Sequence, residues 1–302
     1  MNDRAVIDVP PRIATPGPNA VVIAAWNSVL FDKFLRFKHL LTEGLAVHSE
    51  EAFLRHPYPE AACVLDVGCG FGDTTRRIAR RVGPRGAAWG VDCAANFVAA
   101  SRREAARAKV VNASYFEADA QYDDLRGPYD FAFSRFGTMF FSQPAVALRN
   151  IRKALRPGGE LTMVVWRRRE DNPWLHEAEL RVRQLVPVVA REDSDQVHCG
   201  PGPFSMAGAD TVSAILRGSG YDRIVFERFD ADICIGRDLG DAVDFAMALG
   251  PAGEIMRLAG AAGAARQGVV RAALVDTLSP YVRRDGIWAP SSTWIVTACN
   301  PR

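Results

Sequence analysis

Residues 64–75 read VLDVGCGFGDTT. Val64, Leu65, Asp66 and Val67 form a short apolar run of the kind that builds a buried strand. Gly68, Gly70 and Gly72 then remove every second side chain, and a helical pattern begins at residue 73. Glycine lets a backbone turn with positive φ and lets a ligand come close. A helix start adds free N–H groups. Strand, bare turn and helix together predict a site for a nucleotide-like ligand at 66–73.

Outward from this turn the pattern alternates. Strand 63–67 leads into helix 73–82, closed by Gly83–Pro84. Strand 87–91 ends at Asp92, helix 96–109 follows, and strand 114–118 ends at Asp119. Strand 129–134, helix 144–155, a Pro157–Gly158–Gly159 turn and strand 160–166 complete the run. Repeated strand–helix units with short loops imply a parallel sheet with helices on both faces. Before this core, residues 1–19 read as a proline-bearing arm, Asn19 as a helix cap, and 20–43 as one amphipathic helix with Trp26, Leu30, Phe34, Phe37 and Leu41 on its apolar face. After it come a helix at 173–186, a glycine- and proline-rich loop at 195–205, helix 208–218, strand 222–235, alanine-rich helices over 238–282, and a last strand at 292–299. The expected organisation is an arm and lid (1–59), a ligand-binding core (60–166), a helical cap (167–205 and 238–290) and the remaining core elements (206–237 and 291–302).

Bulk properties narrow the function classes. The 302 residues are 48% hydrophobic and 24% charged, with a formal net charge of +2, so nothing in the overall balance calls for a nucleic acid or a membrane surface. The densest basic run, Arg167–Arg169, reads as a solvated loop. The six cysteines form no CxxC and no zinc spacing, which predicts reduced thiols in a cytosolic, metal-free protein. No secretory signal and no membrane span are expected.

Two ligands suit a GxGxG turn: a dinucleotide of the NAD type and S-adenosyl-L-methionine. The dinucleotide fingerprint wants two residues before its third glycine. Here Gly72 comes one residue early and Asp73 follows. A carboxylate beside a pyrophosphate is unfavourable, whereas an ammonium or a sulfonium meets no such conflict.

VLDVGCGFG, GVD at 90–92, EADAQ at 117–121, YDFAFSRFG at 129–137 and LRPGGELTMVVW at 155–166 occur in order and at matching distances. Together they resemble the class I S-adenosylmethionine-dependent methyltransferases, in particular the bacterial branch with quinone and natural-product enzymes. The resemblance implies a doubly wound, Rossmann-like, seven-stranded and mostly parallel α/β sheet with its last strand antiparallel and helical cap insertions. It implies that Gly68, Gly70 and Gly72 pack along the methionine part of the cofactor and that Asp66 helps hold its amino group. Asp92 would accept the ribose hydroxyls and Cys93 flank the adenine. Asp119 and the Ala120 N–H would hold the adenine edge. Ser134, Arg135 and Phe136 would end the fourth strand where the methyl group points, and Trp26 would close over the cofactor.

The reaction so implied is in-line methyl transfer to a small, apolar or aromatic acceptor through oxygen, nitrogen or carbon, leaving S-adenosyl-L-homocysteine. Phe136, Phe140, Trp166 and Trp174 are the candidate pocket aromatics. His176, His198 and Arg135 are candidates for proton handling, and the sequence does not choose among them. SRFG after the fourth strand departs from the motif of amino-group methyltransferases that act on nucleobases, which argues against a nucleic-acid partner. A homodimer through the 238–282 helices is compatible with the sequence. Two other readings stand beside this one: a cofactor-binding protein of the same fold with a regulatory role and no turnover, and an NAD(P)-linked oxidoreductase, which Asp73 opposes.

Overall fold

The computed structural model describes residues 17–186 and 201–302. Among these residues eight strands form one sheet: β1 (Cys63–Val67), β2 (Ala87–Asp92), β3 (Ala113–Glu117), β4 (Tyr129–Arg135), β5 (Leu155–Trp166), β6 (Asp222–Gly236), β7 (Val282–Arg283) and β8 (Gly286–Cys299). Their order is β3-β2-β1-β4-β5-β8-β6, with the two-residue β7 on β8. The first five pair in parallel, and β8 runs antiparallel to both β5 and β6. The chain therefore winds outward from β1 to β3 and returns to the other side of β1 as β4. Open α/β sheets bind ligands at this kind of reversal, beyond the carboxyl ends of the strands.

Alternation along the strands shows why the sheet is covered twice. Leu65, Val67, Ala132, Met163 and Val165 belong to one core cluster, and Val64, Phe133 and Val164 to a second on the opposite face. Among the described residues, twelve α-helices flank the sheet. In chain order they are α1 (Ala20–Trp26), α2 (Val29–Arg36), α3 (Ala46–Arg55), α4 (Asp73–Val82), α5 (Ala95–Arg107), α6 (Pro144–Ala154), α7 (Pro173–Leu185), α8 (Ala209–Gly218), α9 (Leu239–Leu249), α10 (Pro251–Leu258), α11 (Gly260–Ala265) and α12 (Gln267–Leu278). Helices α3 and α4 cover the second cluster through Phe53, Ile78 and Val82. Helices α6 and α8 sit on the first through Leu148, Ile151, Val212 and Leu216. Helices α7, α9, α10 and α12 pack on one another as a cap.

Four local expectations are corrected. The helix expected over 20–43 is broken into α1, α2 and a π-turn at Leu40–Gly44. The break is made by tertiary bonds. The Asn27 carbonyl accepts from Asn96 Nδ2 (2.7 Å), and Asn27 Oδ1 accepts from the Asn96 N–H (3.1 Å), which ties the chain to the start of α5. Asn19 does not cap α1 with its side chain. Strand β5 begins at Leu155 because Gly158 and Gly159 bond to Asn300 through backbone groups, each at 2.8 Å. The run Arg167–Arg169 is solvated only in part: Arg168 and Arg169 are exposed, but all three side chains hold ion pairs. Arg167 is buried over the Trp294 ring (4.4 Å) and pairs with Asp171 (3.2 Å), while Arg169 pairs with the buried Glu179 (2.8 Å). A buried carboxylate demands such a cation, so the run fastens β5 to α7.

Gly72 has a packing reason to be glycine. At φ +68° an added Cβ would lie 2.6 Å from the Tyr115 ring and 2.8 Å from Ser101 Cβ. Gly72→Ala is expected to cost roughly 2–4 kcal/mol of stability, from left-handed strain plus overpacking. Urea unfolding measures it, and a loss below about 0.5 kcal/mol would contradict this packing argument.

Candidate functional site

The glycine turn is held from below and crossed from above. Gly68 N–H and Cys69 N–H both donate to the Val91 carbonyl (2.9 and 3.0 Å), which seats the turn on β2. The segment after β4 passes directly over it. An added Cβ on Gly137 would lie 2.9 Å from the Val67 carbonyl and 3.2 Å from Gly68 Cα, and one on Gly68 would lie 3.1 Å from Gly137 Cα. The two backbones touch because both positions lack a side chain. Ser134 Oγ donates to the same Val67 carbonyl (2.8 Å), so this buried residue closes the crossing and does not reach the cavity wall. Phe136 takes a left-handed φ of +58° there, a costly conformation for a bulky residue. Its ring stacks on Trp166 with centroids 4.3 Å apart.

Above this crossing lies a cavity of about 250 Å³. Over β1–β3 its wall includes Gly68, Gly70, Asp92, Cys93, Asp119 and Ala120. Over β4, β5 and the cap it includes Phe136, Phe140, Trp166, Trp174, Phe245 and Pro251. Asp73 and Arg135 are also on the wall. Gly70 has φ +53°, and a Cβ there would meet no protein atom within 4 Å. Its bareness serves the cavity and not the packing.

Asp66, Gly72 and His176 are not on that wall. Asp66 is buried behind the turn, where its Oδ2 accepts from Thr74 Oγ1 (2.7 Å) and Thr75 Oγ1 (2.5 Å). It steadies the start of α4, and burial pushes its pKa up to about 6. His176 lies in the first turn of α7. His198 lies outside the described residues.

The carboxylates on the wall differ in how they are held. Asp92 accepts from Gly70 N–H and Ala94 N–H, both at 3.0 Å, yet burial still raises its pKa to about 6. Asp119 Oδ1 accepts from Gln121 N–H (2.9 Å) and its Oδ2 from Asn19 Nδ2 (2.7 Å). This last bond is where the expected cap residue went: it pins the start of α1 to the end of β3. Trp26, at the other end of α1, sits in a cluster with Phe34, Phe97 and Phe140 at centroid distances of 5.2, 6.3 and 5.1 Å. Cys69 and Cys93 line the cavity, and burial pushes both thiols up, which keeps them protonated at neutral pH.

Sequence reasoning did not find two features. One is the ion pair between Asp73 and Arg135 (2.9 Å), with both side chains buried. Asp73 was visible as an odd neighbour for a phosphate, but its partner comes from another strand. The other is His48, which lies edge-on to Phe136, Trp166 and Phe229 at 5.8, 5.7 and 5.5 Å. Ser291 Oγ donates to the Ala231 carbonyl (2.7 Å), so it must accept from His48 Nε2–H (2.9 Å); Nδ1 lies 3.1 Å from Thr293 Oγ1, whose one proton is within reach of both Nδ1 and the Phe229 carbonyl (3.2 Å). Burial lowers the His48 pKa to about 3, so the ring is neutral and braces the aromatic wall from behind.

Residues 64–159 match a family described as a methyltransferase domain. That stretch of the chain is a methyltransferase domain and is similar to class I S-adenosylmethionine-dependent enzymes. A ubiquinone/menaquinone biosynthesis C-methyltransferase of Pseudomonas aeruginosa is 25% identical over 56% of this chain and 69% of its own. Nocamycin O-methyltransferase of Saccharothrix syringae is 32% identical over 52% and 58%. A bifunctional biotin-biosynthesis protein of Bordetella avium is 30% identical over 43% of this chain, and the chain spans only 27% of that relative's length. A Haemonchus contortus phosphoethanolamine N-methyltransferase, solved with S-adenosylhomocysteine, shares the fold at a TM-score of 0.53 and 14% identity, over 94% of this chain and 60% of that one. In this methyltransferase the groups on the wall fit the family's cofactor: the turn is bare where a ligand must pass, and three carboxylates face one guanidinium, which suits a sulfonium ligand.

Two outcomes are expected. A ligand that donates to Asp92 favours its ionised form. Affinity for S-adenosylhomocysteine should therefore be level above about pH 7 and fall as pH drops through about 6, approaching tenfold per unit below. Asp92→Asn should remove the step and Asp66→Asn should keep it, although Asp66 titrates in the same range. Calorimetry across this range checks both. Gly70→Ala should cost only about 1 kcal/mol of stability while weakening the same ligand at least tenfold, the reverse balance from Gly72→Ala.

Proposed function

We propose that this methyltransferase moves a methyl group from S-adenosylmethionine to a small, apolar or aromatic acceptor. The observation that carries the reading is one cavity with two kinds of wall, carboxylate-bearing over β1–β3 and aromatic over β4, β5 and the cap. The bound cofactor supplies a methyl on a sulfonium sulfur, already activated for in-line displacement. The protein's part is then alignment and exclusion of water. Asp92 accepts the ribose hydroxyls. Asp119, which has lone pairs to spare beyond its two present bonds, and the Ala120 N–H hold the adenine edge, with Cys93 beside it. Helix α1 covers this end through Asn19 and Trp26. The Phe136–Trp166 stack, together with Trp174 and Phe245 (stacked at 5.8 Å), offers flat apolar surface to the acceptor.

The acceptor atom is oxygen, nitrogen or carbon. The relatives' names divide between a C- and an O-methyltransferase and so do not choose. Among the described residues no histidine lines the cavity, and no base is assigned. A nicotinamide dinucleotide fits poorly, because its phosphates would face Asp73, Asp92 and Asp119 with only Arg135 to balance them.

Calorimetric titration with S-adenosylhomocysteine and, in parallel, NADH tests the reading. Saturable binding of the first alone is expected, weakened at least tenfold, about 1.4 kcal/mol, by Asp92→Ala. Binding of NADH, or of neither ligand, would refute it. Binding without methyl transfer to any apolar aromatic acceptor would favour the regulatory reading of the same fold.

A further inference from the structure

Asp73, the first residue of α4, differs from the other two carboxylates on the cavity wall. Asp92 and Asp119 each accept from backbone N–H groups. Among the described residues, Asp73 meets only Arg135, the last residue of β4, with Nη2 at 3.1 Å from Oδ1 and 2.9 Å from Oδ2. The shorter contact is an ion-pair distance without hydrogen-bond alignment, so buried Oδ2 accepts no hydrogen bond. The two side chains are only 6% and 9% exposed.

Arg135 is also underused. Nη2 donates to Asp73 and to the Leu41 carbonyl (3.2 Å), and Nη1 donates to Ser49 Oγ (3.3 Å). A guanidinium carries five N–H donors. These contacts leave Nε–H and one Nη1–H. Asp73 and Arg135 both line the cavity beside the glycine turn, a carboxylate with acceptor capacity to spare next to a guanidinium with two unfilled, charged donors. An α-amino-acid zwitterion presents the complement: an ammonium that needs an acceptor and a carboxylate that needs donors. Asp66, expected to hold the amino group, also has one unpartnered oxygen, Oδ1, but it is behind the turn and off the cavity wall, with its Oδ2 bonded to two threonines.

We propose that the Arg135–Asp73 pair is the recognition site for the amino-acid end of the cofactor, with Asp73 taking the ammonium and Arg135 the carboxylate. The proposal rests on the cofactor reading above. It explains why an arginine stands in SRFG at the end of β4: the guanidinium reads the ligand's carboxylate from across the turn. Through the Leu41 carbonyl the same group holds the π-turn that follows α2, so this end of the cavity and the chain covering it share one cation.

The test compares two ligands that differ only in this end. S-adenosylhomocysteine carries the amino acid; 5′-methylthioadenosine keeps the adenosine and the thioether and lacks it. Wild-type protein should bind the first roughly thirtyfold or more tighter, since hydrogen bonds to charged groups are the strong ones and only the first ligand makes them here. The double variant Asp73→Asn/Arg135→Gln keeps the size of both side chains and removes both charges. It should bring the ratio below about threefold by weakening S-adenosylhomocysteine alone. Unchanged affinity for 5′-methylthioadenosine is the internal check that the variant is folded. If the double variant does not fold, Asp73→Asn and Arg135→Lys singly must each lower the ratio. A merely structural pair would weaken both ligands equally, and that result overturns the proposal. So does an unchanged ratio, or an Asp66→Asn variant that closes the gap instead. A wild-type protein that binds neither ligand fails the cofactor reading itself, a distinct outcome.

Discussion

The site depends on a backbone crossing. Val67–Gly68 at the end of β1 and Gly137 after β4 pass so closely that an added Cβ on Gly137 would lie 3.2 Å from Gly68 Cα. Only two positions without side chains can meet in this way. That contact lies at the point where the sheet reverses its winding, between β1 and β4. It fixes where the glycine turn ends and where the SRFG segment begins. Phe136 accepts a left-handed conformation to make the crossing, and its ring is thereby set against Trp166. The polar and the aromatic halves of the cavity meet across this one contact.

Around the crossing, electrostatics and packing have separate tasks. Asp92 and Asp119 are oriented by backbone N–H groups, and Asp73 by a single guanidinium. Burial raises the pKa of Asp92 despite its two N–H bonds. Such a carboxylate is under-solvated and gains from hydroxyl donors. The aromatic half is rigid for another reason. His48, neutral and tied to Ser291 and Thr293 on β8, supports the Phe136–Trp166 stack edge-on. No charge is needed there, and burial keeps the ring from acquiring one.

The three glycines of the turn illustrate how one motif holds different constraints. Gly68 permits the crossing, Gly70 leaves the cavity open, and Gly72 makes room for Tyr115 and Ser101. Only the second has no protein neighbour that a side chain would meet. The same division separates Asp66, which braces α4 from behind, from Asp73, which faces the cavity seven residues later.

The sequence by itself determined the core of the fold. Period-two burial, glycine turns and helix stops are local, so the order of strands and helices from 63 to 166 was legible, and so was the position of the glycine turn, with Asp92 and Asp119 at or just beyond strand ends. What it could not determine were pairings between segments far apart in the chain. Asn19 had the composition of a cap, but a carboxylate 100 residues away was the better partner. The helix expected from 20 to 43 obeyed its periodicity until Asn96 drew Asn27 out of line. Arg167 looked solvated until Asp171 and an aromatic ring claimed it, and the exposed Arg169 proved to be the partner of the buried Glu179. Local free-energy differences of a few tenths of a kcal/mol set propensity, whereas an unpaired buried polar group costs about 1–3 kcal/mol. Tertiary structure therefore decided wherever a buried polar or aromatic group needed a partner from a distant segment: at helices α1 and α2, the aromatic wall and the Arg135–Asp73 pair.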